Sequence, residues 1–117
     1  MKKRDIIILK KIIAESEVVA KFLDGIDEAV FLTDEEKMRA VCMTLINIGE
    51  LIKNLTPDVR ENNKQVPWKD LAGLRDVTAH GYFTLRMPDI WIYAANELPG
   101  YTVQIKEILD NTEELQD

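Results

Sequence analysis

Apolar side chains recur at helical spacing from the first residues of the chain onward. Over 5–24, Ile6, Leu9, Ile12, Ile13, Val19, Ala20 and Leu23 line one face, with Asp5 placed to cap the helix and Gly25 to stop it. The run Ile6-Ile7-Ile8 is rich in β-branched residues, but Lys10-Lys11 and the 3.6-residue spacing beyond it outweigh a strand. A second helix is predicted to start at Thr33, where Glu36 completes a capping box and Asp34 and Glu35 suit the positive end of the helix dipole. Its apolar positions Met38, Val41, Cys42, Leu45, Ile48, Ile52 and Leu55 run to Thr56-Pro57, which ends it. A short turn at 58–63 leads to Pro67, and 68–80 reads as a third major helix stopped by Gly81. Pro88 opens a fourth. Pro99-Gly100 should break or kink it before it resumes over 101–115. Four to five helices with short connections predict an all-α antiparallel bundle.

The length of 117 residues suits one domain, 1–117, built round one core. A hydrophobic share of 46% with 31% charged residues excludes a disordered chain. A lone cysteine, Cys42, cannot form an internal disulfide and suits a reducing, cytoplasmic setting. The basic start Met1-Lys2-Lys3-Arg4 resembles a signal peptide, but Lys10-Lys11 break the apolar run that follows. No stretch approaches the roughly 18–20 apolar residues of a membrane span. Fifteen basic against 21 acidic residues leave a net charge of −6. Broad polyanion affinity needs many Lys and Arg contacts to phosphate, so any nucleic-acid function must be local or arise from assembly.

Chemistry concentrates around the single histidine, in Gly73-Leu74-Arg75-Asp76-Val77-Thr78-Ala79-His80-Gly81-Tyr82. In helical geometry Arg75 and Tyr82 share a face, and Asp76 lies four residues before His80, close enough to accept a bond from its ring. Arg75 and His80 stand about 140° apart on a regular helix, so they converge only if the helix loosens near Gly81 or a second protomer contributes. The group makes sense as a metal-free phosphodiester site. Arg75 would neutralise charge on the phosphorane with its planar fork, His80 would carry the proton, and Tyr82 would bind phosphate or the leaving oxygen. Attack by a neighbouring 2′-hydroxyl needs no protein nucleophile, so RNA is the substrate class. Acid–base catalysis wants two proton carriers and one protomer has one histidine, which a symmetric homodimer would remedy.

The same residues also admit a plain reading, in which Asp76 and His80 form a surface pair at a helix end. Asn47 and Glu50 lie on one face of the second helix, where a polar group is unexpected if that face is core. Either Glu50 orients motif residues, or Gly49-Glu50 marks a close helix crossing with an exposed carboxylate. Trp68, Trp91 and Tyr93 read as core or dimer anchors, and Cys42 as packing. One His and one Cys make no zinc pattern, and no phosphate-cradling glycine loop occurs.

The string Arg75-x-x-x-x-His80-x-Tyr82 resembles the R-x4-H-x-Y signature of HEPN-domain ribonucleases, specifically the HepT-like toxins. The resemblance extends to Arg39, Ile48-Gly49-Glu50, Pro67-Trp68, Gly73-Leu74-Arg75, Tyr82-Phe83, Trp91 and Leu98-Pro99, in order along the chain. It implies a helical homodimer with a composite RNase site. It also implies a cognate minimal nucleotidyltransferase antitoxin, which uses ATP to transfer AMP onto the motif tyrosine. Carried over, Arg75 and His80 are the catalytic pair, Tyr82 is the AMPylation site, and Asp76 stands where relatives often carry Asn. The implied toxin has no cofactor of its own, no metal and no membrane association. The rival expectation is a HEPN module that no longer cuts RNA and binds a nucleotidyltransferase or positions its substrate.

Overall fold

The structure, a computed structural model, describes residues 1–72 and 84–112. Its first helix, α1 (Lys3–Leu23), buries Ile6, Ile8, Leu9, Ile12 and Val19, while Ile7 between them is 46% exposed. That pattern is helical, and the β-branched run is absorbed into it. Lys2, not Asp5, occupies the position before α1. Asp5 lies in the first turn, fully buried, and accepts bonds from the Thr56 backbone N–H (3.0 Å) and hydroxyl (2.7 Å). A distant partner claimed the carboxylate that local patterning assigned to a cap. Gly25, at φ +75°, reverses the chain after α1, a conformation that costs glycine least.

A helix the sequence reading missed follows: α2 (Glu28–Thr33), capped by Asp27, whose side chain accepts from the Val30 N–H at 3.0 Å. It inserts Phe31 into the core, 5.4 Å from the Trp91 ring. Because Thr33 is the last residue of α2, its hydroxyl donates back to the Val30 carbonyl and it cannot cap the next helix. Asp34, extended between the two helices, caps α3 (Glu35–Lys53) instead by accepting from the Lys37 N–H at 3.0 Å. The expected capping box does not form. α3 buries Val41, Cys42, Leu45, Ile48 and Ile52 and packs along α1.

α4 (Pro57–Asn62) and α5 (Trp68–Leu71) are short. Trp68 is buried and its indole donates to the Asn63 carbonyl at 3.0 Å, fixing α5 beneath α4. The third major helix expected over 68–80 is described only through α5, which packs against α3; the rest lies outside the described residues. The chain re-enters at α6 (Met87–Ile92), with Pro88 in the first turn as expected. α6 passes through a widened π-helical turn, Tyr93–Glu97, into α7 (Leu98–Asp110). Pro99-Gly100 therefore does not break the helix. The Leu98 N–H reaches back five residues to the Tyr93 carbonyl, and this wide turn makes room for a proline ring that has no N–H to donate. α7 packs on α1, α2 on α6, and the described elements make an all-α bundle around Leu9, Ile12, Phe31, Leu45, Ile48, Leu98 and Ile105.

Candidate functional site

Arg75, Asp76, His80 and Tyr82 lie outside the described residues. The chain enters this motif from α5, whose Trp68 and Leu71 are buried and anchor it to the bundle beside α3. It leaves towards α6 through Thr84 and Leu85, the latter packed on the core.

Of the predicted supporting residues, Asn47 and Glu50 are described, and both are exposed. The face of α3 that carries them is not core, contrary to the premise that singled them out. At 100° per residue they lie roughly opposite the buried Val41, Leu45 and Ile52. Together with Lys11, Ala14, Glu15, Leu51 and Asn54 they line a shallow groove between α3 and α1. Asn47 donates to the Glu15 carboxylate at 3.3 Å. The Glu50 backbone carbonyl accepts from Asn54 at 2.8 Å, and the Asn54 carbonyl accepts from Arg4 at 3.1 Å. Gly49 next to Glu50 is buried. The groove thus offers a carboxylate and an amide to solvent from a rigid helix.

The aromatic residues divide as expected between core anchors. Trp68 is buried, and Trp91 is half-buried against Phe31. The Tyr93 ring sits 6.1 Å from that of Tyr101. The Tyr93 hydroxyl is buried without a hydrogen-bond partner among the described residues. Burial first, then Tyr101, Glu97 and Asp70, push that phenol well above its ordinary range. The Tyr101 hydroxyl donates to the Glu97 carboxylate at 3.0 Å. Cys42 is buried with its sulfur 3.9 Å from that of Met87, and burial pushes its thiol up to about 11, so packing is its role here. Sequence patterning had no signal for the Asp5–Thr56 tie, because its two ends are 51 residues apart.

The model of the family described as "Ribonuclease HepT-like" matches residues 12–108. A candidate RNase of Caldanaerobacter subterraneus is 39% identical over 101 residues, covering 86% of this chain and 90% of that protein. A candidate RNase of Methanocaldococcus jannaschii is 34% identical over 114 residues, 97% of this chain and 94% of that one. A protein of Thermococcus cleftensis named "Probable ribonuclease HepT" is 32% identical over 89 residues, 75% and 81% of the respective chains. No solved structure gives a significant match. No described helix is long and apolar enough to cross a membrane.

Proposed function

The chain belongs to the HepT-like ribonuclease family, and from that premise we propose that it is the toxin of a toxin–antitoxin pair, a metal-independent endoribonuclease. The observation that carries the reading is the family match over residues 12–108, which takes in the whole Arg75–His80–Tyr82 motif. In the proposed reaction the 2′-oxygen of a ribose attacks the adjacent phosphorus and the bond to the 5′-oxygen breaks. The proton leaving the 2′-hydroxyl passes to one imidazole, and the 5′-oxygen takes a proton from another. Arg75 neutralises the phosphorane and Asp76 orients its own His80. Two imidazoles need two copies of the chain, so the active form is a homodimer. Glu50 and Asn47 stand on the solvent face of α3 as supporting residues at the margin of that composite cleft.

Control follows from Tyr82. A cognate minimal nucleotidyltransferase would move AMP from ATP to the Tyr82 hydroxyl, placing a phosphodiester and a purine beside Arg75. The chain itself requires no cofactor and works in the cytoplasm on RNA. A second reading, a non-cutting module that only binds the nucleotidyltransferase, draws support from the net charge of −6 and from Asp76 beside the RNA phosphate. Incubating purified protein with total RNA decides between them. Wild type should cut in the presence of EDTA, His80→Ala should not, and Arg75→Lys should be badly impaired because a point charge cannot replace the fork. A His80→Ala protein that cuts at the wild-type rate would remove His80 from the mechanism. A wild type that binds its partner and never cuts would establish the second reading.

A further inference from the structure

Glu36, Arg39, Met43, Ile46, Glu50 and Lys53 of α3 fall within an arc of about 100° when the helix is projected at 3.6 residues per turn. Ile46 is half-buried and the other five are exposed. Met43, at 57%, is the most exposed of the large hydrophobic residues described. One exposed methionine needs no explanation. The order of side chains around it does.

Outward from a point between Thr44 and Leu45 the stripe is paired at equal distances: Met43 with Ile46, both apolar, then Arg39 with Glu50, then Glu36 with Lys53, each of opposite sign. A two-fold axis through that point would lay α3 antiparallel on a second α3. Met43 would then meet Ile46 of the partner subunit, Arg39 would meet Glu50 of the partner subunit, and Glu36 would meet Lys53 of the partner subunit. An isologous interface must be complementary to itself under such a rotation. A parallel alignment in register would oppose like charges at all four charged positions.

We propose that this face of α3 docks on the same face of a second copy of this chain, with the two-fold axis between Thr44 and Leu45. The stripe runs about 25 Å along the helix, and a crossing near 20° keeps the two stripes in contact over that length. Four apolar side chains sit on the axis and four ion pairs ring them, the usual arrangement of an apolar centre and a polar rim. Arg39 holds Glu35 of its own helix at 2.8 Å in an exposed pair. Such pairs contribute only a few tenths of a kcal/mol, and the guanidinium fork has donors left for a second carboxylate. Glu50 becomes an assembly residue, bonded across the axis. Because α5 packs on α3 and leads into the motif, the same axis relates the two motif segments. That last consequence alone rests on the ribonuclease reading.

Sedimentation velocity without RNA tests the face directly. Wild type should be a dimer at micromolar concentration, loosening as salt is raised. Met43→Arg should be monomeric, and Lys53→Glu, which sets two carboxylates against each other twice, should weaken association at least tenfold. Glu36→Lys with Lys53→Glu restores the pairing in reverse and should recover most of the dimer. All these side chains are exposed, and far-UV circular dichroism checks that the helices persist. A monomeric wild type overturns the proposal, including one whose α3 face is occupied only by a nucleotidyltransferase. So does a dimer indifferent to both Met43→Arg and Lys53→Glu, or a charge-reversed double variant that stays folded and monomeric. A dimer made through this face by a protein that cuts no RNA would retain the interface and remove the ribonuclease reading.

Discussion

At Cys42 a thiol only 1% exposed among apolar side chains keeps its proton to about pH 11, against about 9 ordinarily. The thiolate is the reactive form. Iodoacetamide at pH 8 should therefore leave the native protein unlabelled while urea-unfolded chain reacts to completion. Equal labelling rates would mean that the thiol is open to solvent. The same shift has a consequence for stability. With the folded value raised, the unfolded chain loses its proton first as pH increases. The contribution is full below about 9 and is lost on the way to about 11. Cys42→Ala should flatten the fall in urea midpoint over that window, whatever its effect on the midpoint at neutral pH. Tyr93, raised by burial in the same direction, adds to the loss at still higher pH.

At the scale of elements, the junction between α2 and α3 ranks two neighbouring polar residues. Asp34 accepts from the Lys37 N–H at the start of α3, whereas Thr33 only returns a bond to the Val30 carbonyl at an exposed helix end. Asp34→Ala should cost about 1 kcal/mol and Thr33→Ala less than about 0.5, read from urea denaturation. The reverse order would revive the Thr33–Glu36 box. The Asp5–Thr56 tie joins α1 to the residue that caps α4. Asp5→Ala strips two charge-assisted bonds from a buried site and should cost about 2–3 kcal/mol. Asp5→Asn, still able to accept one of them, should fall between that variant and wild type. A neutral Asp5→Ala would show that water replaces the carboxylate.

At the scale of the whole molecule, the proposed control by AMPylation can be separated from folding. Modification at Tyr82 should add one AMP-sized increment or a series of them after incubation with the nucleotidyltransferase and ATP, leave thermal unfolding unchanged and abolish RNA binding. The other two tyrosines are poor acceptors. The Tyr93 hydroxyl is buried and its phenol holds its proton tightly, while the Tyr101 hydroxyl is engaged with Glu97. Tyr82→Phe should therefore show no increment by intact mass. An increment that persists in this variant would move the modification to another residue.

Periodicity and composition alone determined the helical class, the extents of α1 and α3 to within a few residues, and the buried roles of Cys42, Trp68 and Trp91. These follow from the 3.6-residue spacing of apolar side chains, which any bundle must bury. The catalytic motif was likewise legible as residue types at a spacing, without a geometry. Tertiary structure decided where local preferences competed. Thr33 and Asp34 both suit a cap, and the helix placed ahead of them to bury Phe31 left only Asp34 in an extended conformation. Asp5 suits a cap too, yet Thr56 claimed it across the fold. Pro99 suits a break, yet packing of α7 on α1 kept the helix continuous through a widened turn. Asn47 and Glu50 looked like polar intrusions into a core until the contact of α3 with α1 put them on its outer side. A linear pattern records which residues are apolar and how they recur, but which of several satisfactory partners a polar group takes depends on what the fold brings within 3 Å of it.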